Sequence, residues 1–146
     1  MVGAVRFVVG IIVGMASLFA IAESVEFFAV QAAAGQWTTD PSEYFAVRNR
    51  SYMLAAKLVS QSAATIAAGY LAALVAGRGR EMACGLVAGV IQSAMFLVAL
   101  ATPELRQTTP DWVWFALIPV TLAGFYFGAR LKAQGTPVAN RLATLD

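Results

Sequence analysis

Apolar residues fall in four long runs separated by short polar stretches, at about 7–30, 52–76, 82–101 and 112–131. Each run can cross a hydrocarbon layer of ~30 Å as a helix rising about 1.5 Å per residue, and the strict alternation of a transmembrane strand is absent. In lipid, backbone groups have to pair within their own segment. The pattern therefore predicts an all-α fold, a four-transmembrane-helix antiparallel bundle forming a single integral membrane domain over 1–146.

The stretches between the runs set the connections. Gln31 to Ser51 is the long loop, and within it Asp40-Pro41-Ser42-Glu43 reads as a helix start: Asp40 as N-cap, Pro41 in first position and Glu43 three residues after the cap. A short interfacial helix from about Pro41 to Asn49 follows. Gly77-Arg78-Gly79-Arg80 is a tight turn between antiparallel neighbours. In the third connection, from about Thr102 to Asp111, Pro103 and Pro110 block helix continuation.

Composition agrees with a membrane setting. Apolar residues make up 60% of the chain and charged residues 12%, against roughly 25% charged in a soluble domain, and the mean hydropathy is +0.72. Arg6, Arg78, Arg80, Arg130, Lys132 and Arg141 fall on one side of the spans, against Arg48, Arg50 and Arg106 on the other. By the positive-inside rule both termini are expected in the cytoplasm and the long loop outside, in a bacterial inner membrane. Trp37, Tyr44, Tyr52, Trp112 and Trp114 cluster at the outer boundary, as an aromatic belt does. No basic stripe with interleaved aromatics lies outside the spans, which argues against nucleic acid as a partner. Arg6, the apolar stretch to Leu18 and Ala20-Ile21-Ala22 also fit a secretory signal with its cleavage site. The apolar run nevertheless continues through Phe27, Phe28, Ala29 and Val30, which favours a span.

Small residues recur four apart on every span: Gly10 and Gly14, Gly85 and Gly89, Gly124 and Gly128, with Ser60, Ala64, Ala68 and Ala72 on the second. Such stripes let helix backbones approach, either inside the bundle or against a second protein. Pro119 interrupts the fourth run and is expected to kink it or to leave the Phe115 carbonyl without its usual donor.

Ionisable residues inside the runs are the chemical lead, because a charge in hydrocarbon costs on the order of 2.5 to 3.5 kcal/mol by insertion scales. Glu23 and Glu26 share a face of the first helix, and Lys57 lies at a similar depth on the second. Lys57 continues along its face to Gln61, and Gln92 joins the Gly85 and Gly89 face of the third helix. Two carboxylates with one ammonium leave one carboxylate to bind a proton or cation. The alternative is structural: Lys57 snorkels and pairs with one glutamate while the other reaches headgroup water.

Catalytic constellations are scarce. The chain has no histidine, which removes the usual general base, metal ligand and axial haem ligand. Cys84 is the single cysteine and lies in a span, where a small buried apolar role is expected. No P-loop, dinucleotide fingerprint or hydrolase elbow appears. Neither an enzyme, a cofactor nor a metal is expected.

The chain resembles a group of small, uncharacterised bacterial four-helix membrane proteins. The likeness lies in the Gly10, Gly14 stripe followed by Glu23, in the Asp40-Pro41 loop, in the Ala68 to Gly77 stretch, and in Pro110-Asp111-Trp112 opening a proline-containing, Gly-rich last helix. It implies the fold and the membrane location and no particular activity, and Lys57 falls outside it. The leading expectation is a non-catalytic membrane bundle, a homo-oligomer or an accessory subunit of a larger membrane complex. A second is a small proton- or cation-coupled transporter using Glu23, Glu26 and Lys57. A third, an enzyme or quinone-handling protein, requires an outer-face pocket with a polar end lined by Trp37, Trp112 and Trp114.

Overall fold

The computed structural model describes residues 2–135, so Arg141 of the charge count lies outside the described residues. They form six helices: α1 Val2–Ala34, α2 Pro41–Arg48, α3 Ser51–Ala76, α4 Glu81–Ala101, α5 Pro103–Arg106 and α6 Asp111–Gln134. No strand occurs among them. Four helices, α1, α3, α4 and α6, are long and apolar enough to cross a membrane.

These helices outrun the apolar runs that predict them. The first begins at Val2 and ends at Ala34 because nothing in 2–6 or 31–34 breaks a helix; Gly35, with φ 71°, does. Gly77, with φ 82°, stops α3 in the same left-handed way, its N–H donating to the Ala73 carbonyl. Arg6 reaches back to the Val75 carbonyl, placing a cation beside the C-terminal end of α3, where the helix dipole favours it. Pro103, expected only to block a helix, instead opens the single turn of α5, since proline suits the first helical position. The helix α6 runs without interruption past Pro119.

The spans close as a ring. The most extensive faces are α3 on α6, α1 on α3, and α4 on α6, with α1 and α4 completing the circuit more loosely. Small residues fill the closest approaches. A Cβ on Gly10 would lie 2.7 Å from the Ala72 carbonyl oxygen, and one on Gly14 would lie 2.8 Å from the Ala72 Cβ. Gly85 and Gly89 lie against Phe125 and Ala129. Across the α3–α6 contact, a Cβ on Gly124 would strike the Thr65 side chain and one on Gly128 the Ile66 carbonyl. Cys84 is fully buried among them, against the Ala72 and Phe7 carbonyls. All six stripe glycines thus meet neighbours within the chain.

Because the obstacle at Gly128 is backbone, relief requires the helices to separate, and overpacking of this kind costs roughly 1 to 3 kcal/mol. Gly128→Ala is expected to destabilise the bundle by about that amount, read as a lower denaturation midpoint in bicelles. An unchanged midpoint would mean that α3 and α6 stand further apart than described.

Candidate functional site

The long loop is tied down before it reaches the site. Gln31, buried at the end of α1, clamps Thr38 from both sides: its Nε2 donates to the Thr38 carbonyl at 3.0 Å and its Oε1 accepts from the Thr38 N–H at 2.8 Å. Thr38 Oγ1 and Gln36 Nε2 then donate to the two oxygens of Glu43. Asp40 caps α2, accepting from the Ser42 hydroxyl at 2.6 Å and from the Glu43 and Ser42 N–H groups at 3.3 and 2.7 Å, and these hydrogen bonds, the hydroxyl's first, hold its carboxyl below the usual carboxylate range. At the other end of α2, Asn49 Nδ2 and Arg48 Nη1 donate to the Thr108 carbonyl ahead of α6. The helix α2 is therefore fixed across the end of the bundle, with Val47 and Arg48 turned inward.

That placement delivers Arg48 to Glu26. Arg48 Nε lies 2.5 Å from Glu26 Oε1, an ion pair off the line of a hydrogen bond, while Lys57 Nζ donates to the other carboxylate oxygen. The three side chains are only 10%, 7% and 11% exposed for Arg48, Glu26 and Lys57. One carboxylate thus sits between two cations, leaving a single positive charge in excess in a nearly dry setting. Breaking such a buried set by removing one member costs roughly 3 to 5 kcal/mol, so the three stand or fall together. Tyr44, half-buried on α2, senses this carboxylate: burial, and then the negative charge of Glu26, push its pKa up to about 12.

Glu23 is separate. It is exposed and shares no ion pair with Lys57, so the arrangement is one carboxylate with two bases rather than two carboxylates with one. Sequence reasoning missed Arg48 as a site residue, since sequence order leaves it among the loop charges. The pointer available was its register, two turns after the Asp40 cap and next to the apolar Val47.

Arg48 and Lys57, the two cations of the trio, line a cavity of about 220 Å³, and Glu26 lies behind them. Glu23, Arg48, Lys57, Gln61 and Gln92 supply its polar groups, and Leu18, Phe19, Ala22, Met95, Phe96, Ala99, Leu105, Trp114 and Leu117 its apolar ones. The exposed side chains Phe19, Glu23 and Met95 belong to α1 and α4, the loosest pair in the ring. Gln92 is 2% exposed, yet its Oε1 has no hydrogen-bond partner, and the buried Trp114 Nε1 has none either. Gln61, 7% exposed, likewise makes no side-chain hydrogen bond to a described residue. Of the three tryptophans expected around a pocket, Trp114 lines this one, Trp37 packs on Phe27 near Tyr44, and Trp112 is exposed.

Comparison of the chain with known protein families, with curated proteins and with solved structures finds no match.

Tyr44 offers a direct probe of this charge arrangement. A phenol whose folded value is raised is protonated in the folded state between about 10 and 12, where the unfolded chain has already ionised, so its share of the stability is lost as pH rises across that window. In a tyrosinate absorbance titration the last group to ionise should be absent in Tyr44→Phe. Its midpoint should fall part of the way back toward 10 in Glu26→Gln. A Tyr44 midpoint that ignores Glu26 would mean the two groups do not face each other.

Proposed function

We propose that this chain is a non-catalytic integral membrane protein of the bacterial inner membrane that binds a small amphiphilic molecule within its bundle. The four spans run antiparallel, with both termini cytoplasmic and α2 lying in the outer interface beside its aromatic belt. The excess of basic residues at the Gly77 to Arg80 turn and around Arg6, Arg130 and Lys132 supports that orientation.

The observation that carries the binding reading is the cavity's division of labour: mostly apolar walls, with a small polar set of Glu23, Arg48, Lys57, Gln61 and Gln92. Small-molecule sites have this composition, mostly apolar with a few convergent polar groups. In this orientation the cavity lies in the outer half of the membrane, and its rim between α1 and α4 faces lipid. An amphiphile then enters sideways from the leaflet. Proton or cation coupling has less support, because Glu26 already has two cationic partners and Glu23 is exposed.

Ala99 lines the cavity and is buried, so a phenyl group there fills the space. After incubation in nanodiscs with octanoate, octanol and octylamine, native mass spectrometry should show at least one of the three retained by the wild type and lost from Ala99→Phe. Retention of none of them would remove the reading.

Self-association is a second reading, and the exposure of α1 favours it. Only 17% of its most apolar window is buried, against 39% in each of the other three spans. Val5, Val8 and Ile12 are exposed along it. With Cys84 replaced by Ala, a cysteine at Ile12 should give a disulfide-linked dimer in native membranes if two copies meet there. Exclusively monomeric protein under oxidation would rule out that contact.

A further inference from the structure

Several polar groups lining the cavity are unused within the fold. Lys57 spends one N–H on Glu26 and has no other protein acceptor among the described residues. The Trp114 Nε1–H has no acceptor, Gln92 Oε1 has no donor, and the Nε2 groups of Gln61 and Gln92 donate to no described residue; Gln92 and Gln61 are more than nine-tenths buried. The trio of Arg48, Glu26 and Lys57 carries one net positive charge, and the remaining carboxylate, Glu23, is exposed at the rim and pairs with neither cation. Unused donors and a buried excess cation are complementary to an anion, and a carboxylate accepts several such bonds at once.

Size and wall chemistry narrow the anion further. About 220 Å³ corresponds to the liquid volume of roughly seven waters and falls below the ~300 Å³ at which drug-sized sites begin. Leu18, Phe19, Met95, Phe96 and Leu117 leave no polar partner for a second charged group along the walls. A dicarboxylate or a sugar phosphate would leave a charge unpaired against them, at a cost of several kcal/mol.

We propose that the cavity takes a monocarboxylate with a short apolar body, its carboxylate on Lys57, Gln61 and Gln92 and its chain or ring between α1 and α4. This rests on the binding reading above and adds the charge and class of the ligand. Two sources supply that chemistry: a water-borne short-chain acid, and a membrane fatty acid whose tail passes out through the rim into the leaflet.

Calorimetric titration of the full chain in zwitterionic nanodiscs, corrected against empty discs, separates these possibilities. Octanoate is expected to bind at least tenfold more tightly than octanol, with octylamine weaker still. Lys57→Arg should keep the octanoate preference and Lys57→Met should reduce it to within about twofold. Gln92→Leu, which keeps the charges, should weaken octanoate several-fold and serves where Lys57→Met fails to fold. Palmitate competing with octanoate would assign the site to a membrane fatty acid, and failure to compete would assign it to a water-borne acid; both outcomes support the carboxylate. Equal binding of octanoate and octanol, or a preference for octylamine, would overturn the carboxylate proposal while leaving an amphiphile site. Absence of binding by all of these compounds would overturn both.

Discussion

The α2 end of the bundle is organised by one carboxylate held between two cations. Glu26 comes from α1, Lys57 from α3 and Arg48 from the short α2, so a single buried charge centre ties together three elements that are not otherwise packed equally closely. Removing three ions from water is expensive, and their mutual attraction offsets that only when the geometry is fixed by something else. The loop provides the fixing: the two-sided Gln31–Thr38 clamp, the Asp40 cap and the Thr108 carbonyl leave Arg48 little freedom to retreat to solvent. The ion cluster is thus a consequence of the loop's hydrogen bonds as much as of the spans.

The two ends of the bundle differ because their side chains differ. At the Gly10, Gly14, Ala68 and Ala72 end, residues without bulk let backbones meet, and dispersion between close surfaces does the work that the hydrophobic effect does in water. At the other end, Leu18, Phe19, Phe96, Trp114 and Leu117 are too large for backbone contact and differ too much in shape to fill the space between them. Adding ions and amides there prevents closure by apolar repacking, since every polar atom then needs a partner. A cavity bordered by charge follows from placing small residues at one end and large, partly polar ones at the other.

Much of this was legible in the residue order and some was not. The four spans, the Asp40 cap with Pro41 behind it, and the closeness of Glu26 to Lys57 follow from local rules: apolar length, cap chemistry and helical register. The second and third spans end where their apolar runs do, at Ala76 and Ala101, whereas the first runs on to Ala34, because its end is set by Gly35 and not by polarity. The role of Arg48 was hidden for a different reason. An arginine in a loop counts only toward overall orientation until the fold of that loop is known, and the Gln31–Thr38 clamp that turns it inward pairs a side chain with backbone, leaving no trace in composition or periodicity. Glu23 shows the converse, since three residues along a helix place it near the same face as Glu26, but only the chain's neighbours decide which of the two is sealed.

That distinction decides the sign of the site. Had both glutamates shared Lys57, the cluster would carry a net negative charge and favour a proton or a cation. With Arg48 in the set and Glu23 on the rim, the buried group is net positive. Two changes reverse the sign: Arg48, contributed by an eight-residue helix outside the spans, joins the set, and Glu23 stays out of it. A ligand of opposite charge then balances the ion cluster, which holds a single carboxylate against two cations, and the uncharged amides of Gln61 and Gln92 leave that balance unchanged.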